Sequence, residues 1–214
     1  MITDLKLAQA CLDAYSLPPS LPIPSTGTCV RVVVSGADII VAFRGSKTPQ
    51  DWFRDFCCAP VHVREHPQLG LCHEGFSNAV ESVYGVIAGA IGAHNLYVTG
   101  HSLGGALAVG FGALYACANR PVAAIVTCGA PRFGMQPFVD VLKAVTVRQY
   151  RNGNDPVPDL PFDVPPDFAF VDTRAPIGIG VPRAIDIECH PMAAYQAALT
   201  AYVAKQEGSI AAAS

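Results

Sequence analysis

The sequence is poor in charged side chains and has no uninterrupted apolar run long enough to cross a membrane. Charged residues make up 14% of the 214 positions, against 51% for apolar residues. A chain this apolar can bury a large core, which excludes an intrinsically disordered protein. A spanning helix needs roughly 20 consecutive apolar residues. Since the sequence has no such run, we expect no transmembrane segment.

The sequence also lacks an excess of basic residues, and its net charge is −3. Nucleic acids and anionic membranes attract clusters of positive charge, so we expect no nucleic-acid partner. The unbroken apolar region of a secretory signal peptide is missing, because Asp4, Lys6 and Asp13 interrupt the first residues. We therefore expect a cytoplasmic protein or one released by a route without a signal peptide, the alternative being a mature form already cleaved.

No two of the eight cysteines have the C-x-x-C spacing of a metal site. Cys117 and Cys128 lie in apolar runs, where cysteine behaves as a small hydrophobic residue. We expect mostly free thiols. Cys57, Cys58 and Cys72 lie in less regular sequence, and we expect them to oxidise most readily.

Strand-like and helix-like segments alternate through the middle of the chain. This order predicts one α/β domain over residues 1–214, with a mostly parallel central sheet and helices on both faces. Two strands at the start are predicted to form an antiparallel hairpin around Ser35 and Gly36, and "APVHV" is a candidate third strand. Later, "AFVDTR" and "RAIDIEC" are candidate strands or an outer hairpin. The apolar segment "RAPIGIGVP" is predicted to be flexible and to line a pocket.

One serine stands among glycines where a strand-like run turns into a helix-like one. The stretch "LYVTGHSLGGALAVG" contains Gly100, Ser102 and Gly104 in the pattern G-x-S-x-G. This pattern, between a strand and a helix, is typical of a serine nucleophile on a sharp turn, with helix N–H groups ready for a developing oxyanion. The alternative is a glycine-rich turn with a helix-capping serine.

A serine nucleophile needs a histidine base oriented by a carboxylate. In α/β-hydrolases the chain order is serine, acid, histidine. Of the six histidines, His190 alone follows Ser102, and it is our candidate base. Asp155 is the candidate acid, because it follows the strand-like "VTVRQYRN" at its carboxyl end, with Asp159 as the alternative. The aspartates between Ser102 and His190 are Asp140, Asp155, Asp159, Asp163, Asp167, Asp172 and Asp186.

These motifs together resemble those of the class 3, fungal-type lipases, an α/β-hydrolase family. The resemblance extends from about Val33 to Tyr195. It rests on "VTGHSLGGALA", "RNGNDPVPDLP", "CHPMAAY", "VAFRGS", "CHEGF" and "CGAPRFG". It implies Ser102 as nucleophile, Asp155 as acid and His190 as base. It further implies an oxyanion hole formed by the backbone N–H groups of Ser46 and Leu103, with the Ser46 hydroxyl as a candidate further donor.

In this family a lid, or its remnant, follows the oxyanion residue, here in "SKTPQDWFRDFCCAP". Trp52, Phe53 and Phe56 are therefore candidate lid or substrate-binding residues. The alternative is a surface helix whose Trp52 packs inward and whose Asp55 pairs locally.

The sequence thus predicts a serine carboxylic-ester hydrolase of the lipase or esterase type, acting on a small ester or a lipid, with transient contact to a lipid interface. Its chemistry requires no metal or organic cofactor. A phospholipase A1, a short-chain esterase and an inactive hydrolase-fold binding module are the alternatives. Asp155 and His190 are 35 residues apart, which leaves little room for insertions and favours shorter or more soluble esters.

Overall fold

A computed structural model describes residues 2–46, 60–162, 169–182 and 187–213 of the chain. Trp52, Phe53 and Phe56, the candidate lid residues, lie outside the described residues, as do Cys57 and Cys58. The strands described are β1 (Val30–Ser35), β2 (Asp38–Phe43), β3 (Pro60–His62), β4 (Leu71–His73), β5 (Asn95–His101), β6 (Val122–Cys128), β7 (Val147–Asn152) and β8 (Ile177–Ile179). The α-helices are α1 (Asp4–Ser16), α2 (Glu74–Ile91), α3 (Leu103–Cys117), α4 (Gln136–Val141) and α5 (Met192–Ala213).

The central sheet has the order β1-β2-β5-β6-β7-β8 within the described ranges. Strands β1 and β2 form the predicted antiparallel hairpin, and every other neighbouring pair is parallel. Gly36 has a φ of 63° in the hairpin turn, a conformation that glycine adopts without steric cost. The predicted α/β-hydrolase fold with a mostly parallel sheet is confirmed.

Helices cover both faces of this sheet, as the sequence predicts. Strand β2 shows the alternation: Val41 and Phe43 face the core cluster built with α2 and α3. Ile40 and Ala42 face the second cluster, built with α1 and α5. Both faces of a central parallel strand are buried in this arrangement, which explains the continuous apolar run of β2.

Helix α1 is fastened to the sheet by a charged group at its first turn. The Asp4 carboxylate accepts hydrogen bonds from Arg148 Nε at 2.6 Å and from the Tyr150 hydroxyl at 2.6 Å, both on β7. Thr3 caps the helix by accepting from the Lys6 N–H. These bonds set the position of the whole helix against the sheet, including its last turn near the edge that carries the functional loops.

Two strand predictions differ from the structure. "APVHV" does contain a strand, but β3 pairs with β4 in a separate two-stranded sheet. The "AFVDTR" segment is not a strand, because its backbone is tied elsewhere: the Val171 N–H donates to Gly134 and the Arg174 N–H to the side chain of Gln149.

The segment "RAPIGIGVP" supplies the edge strand β8 instead of a flexible pocket wall. It pairs in parallel with β7, and Ile179 is buried in the core cluster beneath α1 and α5. Its alternation of isoleucine and glycine is a period-2 pattern too short to distinguish from a loop in the sequence. For "RAIDIEC", residues 183–186 lie outside the described part, and Ile187–Cys189 form a 3-10 turn.

Six described cysteines are free thiols. Cys72 is fully buried on β4, and burial raises the pKa of its thiol to about 12. Since the thiolate is the form that reacts, the expectation that Cys72 oxidises readily is wrong.

In the described ranges no helix has the length and apolar character of a membrane-crossing segment.

Replacing Asp4 with Asn should lower the free energy of unfolding by about 1.5–3 kcal/mol, because the variant loses charge-assisted hydrogen bonds to Arg148 and Tyr150. Urea unfolding at neutral pH measures this change. Asp13→Asn is the matched control, since Asp13 lies on the same helix and bonds only an exposed glutamine among the described contacts. Equal effects of the two substitutions would contradict the role given to Asp4.

Candidate active site

Ser102 occupies a strained turn between β5 and α3. Its backbone has φ 58° and ψ −133°, a combination that a residue with a side chain rarely adopts. The Ser102 N–H donates to the Cys128 carbonyl at 3.0 Å, which holds the turn against the end of β6. The strain is therefore fixed by the sheet, and it places the serine side chain at the sheet's carboxyl edge.

The chain after β2 lies directly against this turn. A side chain at Gly104 would collide with the Phe43 carbonyl oxygen, and a Cβ at Gly45 would lie 3.1 Å from the Ser102 Cβ. Glycine at both positions permits this close approach. As a result, Ser46 follows Gly45 beside the serine, and Leu103 begins helix α3 immediately after it. The first N–H groups of a helix have no intrahelical acceptor, so the Leu103 N–H is available to an oxyanion.

His190 connects the serine to a carboxylate. Its Nε2 lies 2.9 Å from the Ser102 Oγ, and its Nδ1 lies 2.8 Å from the Asp155 Oδ2. All three residues are at most 1% exposed. A carboxylate accepts hydrogen bonds, so Nδ1 carries the proton, and the bare Nε2 accepts from the serine hydroxyl. This tautomer is the one in which the imidazole can take the hydroxyl proton.

Asp155 is held by two further donors that the sequence analysis did not identify. The Tyr195 hydroxyl donates to Oδ2 at 2.6 Å, and the Val157 N–H donates to Oδ1 at 3.0 Å. Burial raises the pKa of Tyr195 well above its usual value, so the hydroxyl stays protonated and remains a donor. The motif "CHPMAAY" ends at Tyr195 but does not predict its bond to Asp155, because the position of α5 relative to the 153–157 turn is a property of the fold.

The other described acid candidates are engaged elsewhere. Their ion pairs are Asp159 with Arg151, Asp172 with Arg132 and Asp140 with Lys143. Asp163, Asp167 and Asp186 lie outside the described residues. Of the candidates that the structure describes, Asp155 is the one brought to His190.

His101, next to the serine, turns its ring away from the Ser102 hydroxyl. Its Nε2 lies 2.6 Å from the backbone oxygen of His190, and its Nδ1 lies 2.8 Å from the Tyr15 hydroxyl. Burial, with a smaller contribution from the neighbouring His190, lowers the pKa of His101 to about 3. The ring is therefore neutral across the physiological range.

A groove of about 510 Å³ opens beside His190. Ser46 and His101 contribute to its floor, α1 contributes Leu12 and Tyr15, and the start of α5 contributes Met192. The walls are mostly apolar. No cluster of three or more His, Cys, Asp or Glu side chains suited to a metal ion occurs in the parts of the chain that the structure describes.

The fold is that of an α/β-hydrolase, and at the carboxyl edge of its sheet a serine, a histidine and an aspartate form a hydrogen-bonded chain. The sequence pattern of the family Lipase (class 3) matches residues 40–164, which include Ser46, Ser102 and Asp155. More than half of the chain is matched, and the chain belongs to the class 3 lipase family. The resemblance inferred from the sequence motifs is thereby confirmed.

One relative is a secreted mono- and diacylglycerol lipase from Fusarium solani. It is 34% identical over 147 residues, which are 64% of this chain and 44% of the relative. The match thus spans less than half of that protein. Because this relative is secreted, the expectation of a cytoplasmic protein, drawn from charges near the first residue, is corrected.

Solved lipase structures share the fold. The Rhizomucor miehei triacylglyceride lipase is 25% identical with a TM-score of 0.62, covering 78% of this chain and 66% of that one. The triacylglycerol lipase of Penicillium expansum is 22% identical with a TM-score of 0.65, covering 83% and 79% respectively. The second comparison bears on the fold alone.

Acidification should destabilise the protein through His101. In the unfolded chain this residue binds a proton below its ordinary pKa of 6.5, whereas the folded state binds one only near pH 3. The unfolded state therefore holds more protons between these values, and stability falls as the pH falls from 6.5. At pH 5 the loss is about 2 kcal/mol for this group.

Urea unfolding at pH 7 and pH 5 measures this dependence. His101→Gln should reduce it by about 2 kcal/mol, although the variant is less stable at both pH values. His62→Gln, at an exposed position on β3, is the control and should keep the wild-type dependence. A wild type equally stable at the two pH values would contradict the buried neutral ring.

Proposed function

We propose that this protein is a serine ester hydrolase that cleaves carboxylic esters of acylglycerols through an acyl-enzyme intermediate, with Ser102, His190 and Asp155 as its catalytic residues. The observation that supports this most strongly is the unbroken hydrogen-bonded chain from the Ser102 hydroxyl through both nitrogens of His190 to the Asp155 carboxylate. Membership of the class 3 lipase family supports the same chemistry.

In the acylation step the Ser102 Oγ attacks the ester carbonyl carbon while His190 Nε2 takes the hydroxyl proton. Asp155 keeps Nδ1 protonated, so that Nε2 is the basic nitrogen, and it stabilises the imidazolium that forms. The donors from Tyr195 and Val157 hold the carboxylate in one orientation. The base is therefore positioned before the substrate arrives.

The negative charge that develops on the carbonyl oxygen is bound by the N–H groups of Ser46 and Leu103. Ser46 follows β2 in the segment that lies against the serine turn, and Leu103 is the first residue of α3. Preorganised donors of this kind commonly contribute the largest single part of the rate enhancement, with about 2.7–4 kcal/mol for one donor.

The tetrahedral intermediate then collapses as the bond to the alcohol breaks and His190 returns the proton to the leaving oxygen. The alcohol consequently leaves on the His190 side, where the mostly apolar groove lies. Water next attacks the acyl-enzyme, with His190 as general base, and releases the acid together with the regenerated serine.

Partial acylglycerols are the first substrates to test, because the Fusarium solani relative is a mono- and diacylglycerol lipase. Contact with a lipid interface has support from exposed apolar side chains in the segments that carry the acid and the base. These are Phe162, Val181 and Ile187. An inactive binding module is disfavoured, because serine, base, acid and both oxyanion residues are all present.

Ser102→Ala should abolish hydrolysis of p-nitrophenyl esters and of monoacylglycerols, lowering kcat at least about 10⁴-fold without unfolding the protein. Ser77→Ala is the control. Ser77 is also a buried serine, but it lies on α2, where its hydroxyl donates to the carbonyl of His73. Circular dichroism verifies that each variant is folded. A Ser102→Ala protein as active as the wild type would refute the proposal.

Asp155→Asn should lower kcat by about 10⁴-fold, because an amide no longer fixes the His190 tautomer. Asp159→Asn is matched in chemistry and lies four residues away, where its carboxylate pairs with Arg151. It should keep kcat within a few-fold of the wild type. If Asp159→Asn caused the larger loss, the assignment of the acid would be reversed.

A further inference from the structure

Tyr15, in the last turn of α1, lies between the segment after β2 and the turn that carries Ser102. Its hydroxyl is 2.8 Å from His101 Nδ1, and the two rings make an edge contact with centroids 5.7 Å apart. The same hydroxyl lies against Gly45, where even a Cβ atom would collide with it. Tyr15 therefore contacts both the residue before the nucleophile and the residue before the oxyanion donor Ser46.

The direction of each hydrogen bond in this group follows from the acceptor at its end. The backbone oxygen of His190 can only accept, so His101 Nε2 carries the ring proton. Since His101 is neutral, its Nδ1 is an acceptor, and the Tyr15 hydroxyl must donate to it. The Tyr15 oxygen can then accept a hydrogen bond from the backbone N–H of Gly45.

These contacts join separate segments of the chain. Gly45 after β2 lies against the Tyr15 hydroxyl, and hydrogen bonds connect Tyr15 to His101 and His101 to the backbone of His190. The His101 ring also packs against the His190 ring at a centroid distance of 4.7 Å. One phenolic hydroxyl thus connects the loop after β2 to the histidine that bonds the backbone of the base.

Tyr15 is partly buried, and His101 is buried. His101 is 3% exposed, and desolvation raises the pKa of Tyr15 above its usual value, which keeps the hydroxyl protonated. Helix α1 is itself held at its other end by Asp4 bound to Arg148 and Tyr150. Tyr15 lies outside residues 40–164, the part matched by the family pattern.

We propose that Tyr15 is a positioning residue for the ester hydrolysis proposed above, and that its hydroxyl sets the placement of the oxyanion loop at Gly45 and Ser46 relative to His101 and the His190 backbone. This inference rests on the proposed function of the Ser102 site. The hydroxyl acts through its neighbours and does not touch the reacting atoms.

Removing this hydroxyl should affect the transition state more than substrate binding. The oxyanion N–H of Ser46 is needed when charge develops on the carbonyl oxygen, and a misplacement of about 1 Å in a catalytic group can cost about 100-fold in rate. Tyr15→Phe keeps the ring in the groove wall and deletes the oxygen alone. We expect kcat for p-nitrophenyl butyrate to fall about 10-fold with KM within twofold of the wild type.

Tyr150→Phe is the matched control. This substitution deletes a hydroxyl that bonds Asp4. Asp4 is in the first turn of α1, whereas Tyr15 is in its last turn. If Tyr15 acted only by docking α1, both variants would lower Tm and would have the same effect on kcat. We expect Tyr150→Phe to lower Tm and keep kcat within twofold.

Nitrogen-15 NMR of the histidine rings supplies a readout that does not require turnover. In the wild type His101 should show a protonated Nε2 and an Nδ1 shifted by an accepted hydrogen bond. In Tyr15→Phe the Nδ1 resonance should move toward that of a non-bonded acceptor nitrogen, with Nε2 still protonated.

An active wild type with an equally active Tyr15→Phe variant would overturn this inference and leave the proposed function standing. The inference also fails if Tyr150→Phe loses as much kcat as Tyr15→Phe, or if His101 Nδ1 is unchanged by removal of the hydroxyl. A folded wild type with no activity on esters would instead refute the proposed function, and the positioning role with it.

Discussion

The hydrogen bond from His190 Nδ1 to Asp155 is the interaction on which the rest of the site depends, because it determines which imidazole nitrogen is bare. With the proton fixed on Nδ1, Nε2 faces the Ser102 hydroxyl at 2.9 Å. The carboxylate is fixed in orientation because Tyr195 also donates to Oδ2 and the Val157 N–H donates to Oδ1. The reactivity assigned to Ser102 thus depends on the orientation of Asp155, which is connected to the serine through His190.

The parallel sheet provides the frame for that orientation. The carboxyl ends of the parallel strands β2, β5 and β7 lie at one edge, and the turns that follow them carry Gly45, Ser102 and Asp155. Close backbone approach at Gly104 is what lets the turn after β2 reach the serine. Helix α1 brings Tyr15 against Gly45 and His101, so that a helix outside the matched family region contacts the site.

Much of this arrangement could be predicted from the sequence, because its signals are local. The hairpin at Gly36, the strand before Ser102 and the helix after it follow from apolar periodicity and glycine placement. Tyr195 and Tyr15 could not be found in this way, since each reaches the site from a helix distant in sequence. Strand β8 could not be predicted because its burial depends on β7 beside it, and the prediction for Cys72 was wrong because irregular sequence on β4 is nonetheless buried.

The central claim is that His190 and Asp155 activate Ser102, and titration with a p-nitrophenyl alkylphosphonate tests it most directly. In this reaction the serine Oγ forms a bond to phosphorus, and p-nitrophenolate leaves. We expect one equivalent of p-nitrophenolate per chain and a covalent label on the peptide containing Ser102. A folded protein that releases none, or that carries the label on another residue, would contradict this claim.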